Sequence, residues 1–395
     1  MRIDSVTARA IPDTRGRPTI EVTLAAGTLS ATASVPSGKS TGSHEARELD
    51  ANSAIKNVNN EIAGALKTRD FNSPDELDTF LIELDGTPNK SRLGANAILA
   101  VSIAVQRLFA LEAGIPLWRA IAERAGTTPS APHLFVNMMN GGVHADFKLP
   151  FQEYLLIVKG KTSDALPIAH EAFAKLGERL GPPAGGVPMG DEGGYAPSFD
   201  TLEKPFELLA ELVKEFPNTS IAIDAAANEL FRDDAYHLFD KSYTAEELTS
   251  IYGSIAANYP LHSIEDPFAE DAHDDFAHLT AALGDTVHIV GDDLTVTDPT
   301  RIKEATERKE INAVLIKPNQ IGTVKEALEA VRATYTAGFK AIASHRSGET
   351  DDTFISDFAY AIGAHGIKAG GLGQKERLEK YERLLAIEHE LDLPT

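Results

Sequence analysis

The chain has 395 residues, of which 43% are apolar and 24% are charged, so it has enough apolar side chains for a large buried core. Its formal charge of −22 argues against non-specific binding to nucleic acid or to an acidic membrane, although local cations can still attract a small anion. The absence of cysteine excludes disulfides, thiol catalysis and thiolate metal sites, so any metal would be held by oxygen or imidazole.

The first part of the chain predicts a small α+β domain. Strand-like alternation covers residues 3–11, 19–24 and 28–35, and helical spacing of apolar residues covers 45–66, 75–84 and 95–113. The segment AGTTPSAPH, residues 125–133, predicts a linker. We therefore expect one domain over residues 1–128 and a second over residues 129–395.

From residue 134 onward, apolar strand-like runs alternate with helical patterns, and six of these runs carry a polar residue at or near their end. These residues are Asp224, Glu265, Asp292, Lys317, His345 and Lys368, and the last five follow one another at intervals of 23 to 28 residues. Each interval fits one strand and one helix, which predicts an α/β barrel. Chemistry in such barrels lies at the carboxyl ends of the strands, so we expect the six side chains to share one mouth.

Lys317 directly follows the buried run AVLI. Desolvation near other cations would lower the pKa of Lys317 and make it a proton acceptor near neutral pH. Asp224, Glu265 and Asp292 together predict an oxygen-only cation site, and Mg²⁺ is the preferred ion because it accepts a few carboxylates and water. The alternative is a structural network in which these acids pair with the nearby lysines.

Three other motifs supply further candidates. The glycines of GDEGG can bring Glu192 close to a ligand, and NMMNGGVHA presents His144 on a glycine turn. Glu153 precedes the run YLLIV and reaches the same mouth only if that strand runs antiparallel to its neighbours. Arg346 and Ser347 in SHRSGET offer a guanidinium group and a hydroxyl, which are suited to phosphate.

The segment SVPSGKSTG, residues 34–42, resembles a phosphate-binding P-loop only in part. Ala33 stands where that motif needs a glycine, so nucleotide binding is disfavoured. A mobile loop that closes over the barrel is the better interpretation.

Taken in order, these motifs resemble those of the enolase family. The matching segments cover both halves of the chain and are DTRGRPTIEV, PSGKSTGSHEA, NGGVHADFKLPFQE, GDEGGYAP, SIEDP, GDDLTVT, LIKPNQIG and SHRSGET. The resemblance implies a modified TIM-type α/β barrel with an antiparallel second strand, preceded by a smaller α+β domain. It also implies a glycolytic lyase that dehydrates 2-phosphoglycerate to phosphoenolpyruvate with two Mg²⁺ ions.

The resemblance further implies a role for each candidate. Lys317 matches the base that removes the C2 proton, Glu192 the acid that assists departure of the hydroxyl, Glu153 its neighbour, and Lys368 the lysine at the substrate carboxylate. Asp224, Glu265 and Asp292 match the ligands of the first Mg²⁺, and Ser40 the ligand of the second. His144, His345, Arg346 and Ser347 match residues that bind the substrate, a small phosphorylated anion.

Lys39 departs from the family pattern, because it stands where alanine is usual. This leaves open an enolase paralogue that dehydrates a modified substrate, such as the carboxyphosphonoenolpyruvate synthase of phosphonate biosynthesis, with Lys39 binding the additional carboxylate. A solvated loop lysine is the simpler interpretation. A non-catalytic binding protein on the same fold is a third reading, and the intact set of acids and bases argues against it.

The resemblance also predicts a homodimer or a higher homo-oligomer. Arg9 and Glu376 match one ion pair between subunits, whereas Ala386 replaces an arginine that commonly pairs across the dimer with the residue matching Glu21. The start MRIDSVTARA lacks the apolar core of a signal peptide, and no long apolar window is free of charge. We therefore expect a cytoplasmic protein without a membrane span.

Overall fold

A computed structural model of the protein describes residues 1–39, 42–181 and 186–392. The chain opens with an antiparallel sheet of three strands, β1 (Ser5–Pro12), β2 (Pro18–Ala26) and β3 (Leu29–Ser34). The helices that follow are α1 (Ala51–Asn57), α2 (Ala63–Leu66), α3 (Pro74–Asp85), α4 (Ala95–Ala113) and α5 (Leu117–Ala125), and a π-helical turn, Val58–Ile62, joins α1 to α2. The predicted α+β architecture of this N-terminal layer is confirmed.

The helix predicted over residues 45–66 begins later than expected. Asp50 is the N-cap of α1, where its side chain accepts a hydrogen bond from the backbone N–H of Ser53 at 3.1 Å. An aspartate that caps in this way ends the extended segment and starts the helix. Residues 45–50 are therefore a loop, and Glu45 in that loop is free to pair with the barrel.

Helix α4 is the core of the N-terminal layer. By length and composition it is the one helix of the described chain that could cross a membrane, and 78% of its apolar window is buried within the protein. It packs against β2 and β3. Its apolar character is thus explained by its position between the sheet and the other helices.

The second part of the chain forms a closed barrel of eight strands. Its strands are β4 (His133–Asn140), β5 (Glu153–Val158), β6 (Thr219–Asp224), β10 (Leu261–Glu265), β11 (His288–Gly291), β12 (Ala313–Ile316), β13 (Lys340–Ser344) and β14 (Gly366–Gly370), paired in this order, with β14 closing onto β4. A small separate sheet follows β6 and consists of β7 (Phe231–Arg232), β8 (Ala235–Leu238) and β9 (Lys241–Tyr243). Strand β5 runs antiparallel to β4 and β6, and the other neighbours are parallel. The predicted barrel with an antiparallel strand is confirmed.

Helices alternate with the barrel strands. They are α6 (Thr162–Leu180), α7 (Glu203–Glu215), α8 (Ala245–Asn258), α9 (His273–Leu283), α10 (Pro299–Arg308), α11 (Pro318–Ile321), α12 (Val324–Thr336), α13 (Phe354–Ile362) and α14 (Lys375–Asp392). The N-terminal layer ends with α5, and the barrel begins with β4. The predicted boundary between residues 128 and 129 lies in this connection and stays a prediction.

The interior of the barrel is apolar. A compact cluster of buried side chains fills it and consists of Phe135, Leu155, Ile157, Ala222, Val290, Ala313, Leu315 and Ile342. Side chains that alternate with these along the strands join the larger core under the outer helices. The packed interior separates the two ends of the barrel from each other.

We predict that Leu315→Ala lowers the free energy of unfolding by about 2–5 kcal/mol, because it removes a fully buried side chain from this close-packed interior and leaves a cavity. Urea denaturation of the purified variant measures the change. Leu111→Ala is the matched control, since Leu111 is 52% exposed on α4 and its loss should change stability by less than about 0.5 kcal/mol. Equal effects of the two substitutions would contradict the prediction.

Candidate active site

Strand register brings three carboxylates together at the mouth of the barrel. Glu153, the first residue of antiparallel β5, lies opposite Asp224 at the end of β6, and Asp224 pairs in turn with Glu265 at the end of β10. All three are buried, and one carboxylate oxygen from each lies within 4.8 Å of the others. The reversed direction of β5 is therefore what brings Glu153 into this group.

Lys368 is the cation at the centre of this group. Its Nζ lies 2.5 Å from Glu153, 2.7 Å from Glu265 and 3.4 Å from Asp224. It was predicted near the end of its strand and lies within β14, opposite Ser344. Burial by itself would lower the pKa of Lys368, but the three carboxylates raise it well above its ordinary value.

One lysine does not balance three buried acids. Burial raises the pKa of Glu153, but the charge of Lys368 lowers it, and the resulting pKa is well below its usual range. For Glu265, burial followed by the Asp224 charge raises the pKa well above its usual range. The Oε1 atom of Glu265 is also buried without a hydrogen-bond partner among the described residues. The group has room for a further positive charge.

A second group of carboxylates lies beside the first. Oxygens of Asp266, Asp292 and Asp293 lie within 4.8 Å of one another. Asp266 accepts hydrogen bonds from the backbone N–H groups of Asp292 at 2.9 Å and Asp293 at 2.8 Å. Burial and the neighbouring acids raise the pKa of Asp266 and of Asp293 well above the usual range. The sequence pattern did not single out Asp266, although it directly follows Glu265 in the SIED motif.

The predicted metal ligands are thus divided between two adjacent groups. Asp224 and Glu265 belong to the first and Asp292 to the second. Burial is the main cause that raises the pKa of Asp224 and of Glu265, and the charge of Asp292 adds to it. Buried, mutually repelling carboxylates with an unpaired oxygen fit a hard divalent cation, and Mg²⁺ suits such an oxygen-only set. Ser40, the predicted ligand of a second ion, lies outside the described residues.

Lys317 follows β12 and contacts Asp292 directly. Burial lowers the pKa of Lys317, but the adjacent Asp292 carboxylate outweighs this effect, so the net pKa is raised. The prediction of a lowered pKa is therefore wrong for the chain by itself, because it considered nearby cations and omitted this carboxylate. The second oxygen of Asp292 accepts a hydrogen bond from Gln320 at 2.8 Å.

Glu192 and Glu153 form a pair of unlike carboxyl groups. Asn137 joins them, since its side-chain amide donates to Glu153 at 2.8 Å and to Glu192 at 3.1 Å. Burial and then the charge of Glu153 raise the pKa of Glu192 to about 7. His144 lies 3.4 Å from Glu192. Two neighbouring carboxyl groups thus differ in pKa, with that of Glu192 raised and that of Glu153 lowered, an arrangement typical of general acid chemistry.

The loop after β13 presents a guanidinium group and a hydroxyl to the same cavity. Arg346 donates hydrogen bonds to both oxygens of Glu45 at 3.0 Å. The hydroxyl of Ser347 accepts a hydrogen bond from Arg15 at 3.1 Å. This region of the mouth therefore holds two guanidinium groups, and Arg15 and the carboxylate of Glu45 are contributed by the N-terminal layer.

Arg377 holds the loop of His345 in place. It is fully buried in α14, contacts Nδ1 of His345 and donates to the carbonyl oxygens of Arg346 at 3.1 Å and Ser347 at 3.0 Å. Burial and the Arg377 charge lower the pKa of His345 well below its usual range, so its imidazole is neutral. Sequence reasoning missed Arg377, because nothing in the helical pattern of KERLEKYERLL distinguishes it from a surface arginine.

Lys39 contacts Asp191 and the backbone of Val143. Its Nζ lies 2.7 Å from the Asp191 carboxylate and 2.7 Å from the Val143 carbonyl oxygen. The imidazole of His144, 3.7 Å away, and the hydrogen bond from Lys39 hold the pKa of Asp191 well below its usual range. Lys39 thus has an ionised partner within the chain, and it is not among the described residues that line the cavity.

Most of the predicted side chains line one cavity at the mouth. Those brought together there are His144, Glu153, Glu192, Asp224, Asp292, Lys317, His345, Arg346, Ser347 and Lys368. Glu265 lies directly behind them through its contact with Lys368. The cavity combines anionic ligands for a cation with cationic groups for a phosphate.

A cation held beside a lysine and a protonated carboxylic acid can support loss of water next to a carboxylate, which is the chemistry of metal-dependent hydro-lyases. Comparison with known proteins identifies the family. Residues 3–121 match the enolase N-terminal domain, and residues 129–394 match the enolase C-terminal TIM barrel domain. The chain belongs to the enolase family.

Individual relatives agree over nearly the whole chain. The enolase of Methanopyrus kandleri is 43% identical over 99% of this chain and 96% of its own length. The enolase of Anaplasma phagocytophilum is 43% identical over 99% of this chain and 95% of its own length. The enolase of Campylobacter jejuni subsp. doylei is 42% identical over 99% and 98%.

We predict that Mg²⁺ binding at the mouth releases protons near neutral pH and strengthens as pH rises. Carboxyl groups with a raised pKa, such as Glu265 and Asp293, must lose their protons when a cation binds. Lys368, which stays charged, must give up carboxylate partners to the cation. Isothermal titration in Pipes and in Tris measures proton release, because the two buffers differ in ionisation enthalpy.

In the same titration, Asp293→Asn should reduce the number of protons released, because it removes one carboxyl group with raised pKa. Asp285→Asn, at an exposed site, is the control and should behave as the unchanged protein. Identical binding enthalpies in the two buffers would show that no proton leaves and would contradict the prediction.

Proposed function

We propose that this protein is a Mg²⁺-dependent lyase that dehydrates 2-phosphoglycerate to phosphoenolpyruvate. The observation that carries the proposal is the placement of Lys317 and Glu192 in one cavity with two groups of buried carboxylates. The relatives named enolase support the same reaction. Asp224, Glu265 and Asp292 would hold Mg²⁺, which would stabilise the negative charge that builds up on the substrate carboxylate.

Lys317 takes the proton from C2 of the substrate in this proposal. Burial, Arg346 and Lys368 all favour the neutral amine, and only carboxylates such as Asp292 oppose it. Once Asp292 is engaged as a ligand, the balance of these effects shifts towards the neutral, basic form of Lys317. Lys368 keeps its positive charge and would bind the substrate carboxylate.

Glu192 supplies the proton that leaves with the C3 hydroxyl as water. Burial and then the charge of Glu153 raise the pKa of Glu192 to about 7, so that a substantial fraction of Glu192 carries this proton at neutral pH. Arg346 and Ser347 bind the phosphate, and His144 and His345 complete the pocket. Water loss therefore uses a base that follows β12 and an acid from the loop between α6 and β6, which meet at one mouth.

Turnover of plain 2-phosphoglycerate tests the function. Absorbance of the enol product should rise with time in the presence of Mg²⁺, and removal of Mg²⁺ with a chelator should stop it. Failure at millimolar substrate with Mg²⁺ present would favour the paralogue that acts on a modified substrate. The pairing of Lys39 with Asp191 gives that alternative no support, since the lysine already has a carboxylate partner.

We predict that Lys317→Ala abolishes exchange of the C2 hydrogen of 2-phosphoglycerate in deuterated water, because the proton acceptor is removed. The exchange rate should fall by on the order of 10²–10⁴-fold, while Mg²⁺ binding and the unfolding transition persist. Nuclear magnetic resonance of the substrate measures the exchange. Lys303→Ala is the control, since Lys303 is exposed on α10, and exchange at the normal rate in the Lys317 variant would refute its role.

We also propose that the protein forms a homodimer in the cytoplasm, and both points stay predictions. Arg9, which is 70% exposed, pairs with Glu21 at 2.6 Å within one chain. Glu21 therefore has a cationic partner although Ala386 replaces the usual arginine. Dimerisation would then depend on other contacts, among them any formed by Glu376.

A further inference from the structure

Four histidines lie at the end of the barrel opposite the mouth. His133 begins β4 and His288 begins β11, His262 is the second residue of β10, and His365 directly precedes β14. The amino ends of parallel strands meet at the same end of a barrel, away from the carboxyl ends that carry the chemistry. The proposed reaction uses none of these four side chains.

Three of these imidazoles converge inside the barrel. Strands β10 and β14 lie on opposite sides of the closed sheet, yet the Nε2 atoms of His262 and His365 are only 2.9 Å apart. Their rings are nearly parallel, and the ring of His288 lies edge-on to both, with centroids 4.9 Å and 5.2 Å away. A ring nitrogen from each of the three lies within 4.8 Å of the others.

We propose that His262, His288 and His365 form a second metal site, selective for a borderline transition metal ion, with Zn²⁺ the best fit. Zn–N bonds of about 2.0–2.1 Å in a tetrahedron separate ligand nitrogens by about 3.3 Å. The Nε2 atoms of His262 and His365, 2.9 Å apart, would move apart by only a few tenths of an ångström to reach this spacing. The fourth position is open to water or to His133, whose ring centroid is 5.2 Å from that of His365. Imidazole is a poor ligand for Mg²⁺, so the two sites differ in the ion they take.

The chemical state of the cluster agrees with metal binding. Burial, followed by the neighbouring imidazoles, lowers the pKa of His262 and of His365 to about 3, which leaves both neutral as metal ligands must be. The Nδ1 atom of His288 is buried and has no hydrogen-bond partner among the described residues. Lys159 and Lys340 lie close enough to add positive charge, which weakens the site without removing its ligands.

The histidine cluster is closed on one side and accessible to solvent on the other. Phe135, in the apolar interior, packs edge-on against His262 and His365 and closes the cluster on the side of the mouth. A surface cleft lined in part by His133, Lys340 and His365 gives solvent access on the other side. A metal ion there would join β10 and β11 to β14 and stabilise the barrel by mass action.

The test uses the full chain saturated with Mg²⁺, to which Zn²⁺ is added. Isothermal titration should detect Zn²⁺ binding, the unfolding temperature should rise, and the zinc X-ray absorption spectrum should show mainly imidazole ligands. His288→Gln and His365→Gln should each weaken Zn²⁺ binding by more than about tenfold, because each removes a ligand. His278→Gln, on the exposed face of α9, is the matched control and should bind as the unchanged protein.

Turnover of 2-phosphoglycerate with Mg²⁺ should be the same in all three variants, which shows that they are folded and that the mouth is intact. Undiminished Zn²⁺ binding in both ligand variants would overturn the proposal. A zinc spectrum dominated by oxygen ligands in the unchanged protein would also overturn it, because the ion would then lie among the carboxylates. Absence of Zn²⁺ binding to the unchanged protein would have the same consequence.

Discussion

Repulsion among buried carboxylates is the constraint on which the active end of this barrel depends. Glu153, Asp224 and Glu265 surround a single lysine, and three further aspartates lie next to them. Burying like charges together is unfavourable unless protons or cations neutralise them. The excess of negative charge in this group contributes to the raised pKa of both Glu265 and Lys368. A divalent cation can relieve this imbalance in place of protons, so the packing of the acids favours metal binding.

The two ends of the barrel differ in chemistry because the apolar interior separates them. The mouth offers oxygen ligands, several of which have a pKa raised by burial and by neighbouring acids. The opposite end offers imidazoles that are already neutral. Eight apolar side chains lie between these environments. One closed sheet thus keeps a hard-ion site and a borderline-ion site apart, and each selects its ion by ligand type.

Much of this site could be predicted from the sequence, because strand ends in a parallel barrel meet at one mouth regardless of helix detail. Glu153 was the exception, since its position depends on the direction of β5, which local periodicity does not determine. The pKa of Lys317 was mispredicted, and Arg377 and Glu45 were missed, for a common reason. Lys317 contacts Asp292, Arg377 contacts His345, and Glu45 pairs with Arg346. The partners in each pair are far apart in sequence, and local patterns do not reveal such pairing.

In the proposed function, Glu45 of the N-terminal layer competes with the substrate phosphate for Arg346. The carboxylate takes both terminal nitrogens of the guanidinium group that suits a phosphate, and it is tethered to the same chain. A tethered group acts at a high effective concentration, so a weak anion would not displace it, whereas a doubly charged phosphate could. Binding of the phosphate in that proposal would thus replace the hydrogen bonds that Glu45 accepts from Arg346 and release the carboxylate of the loop.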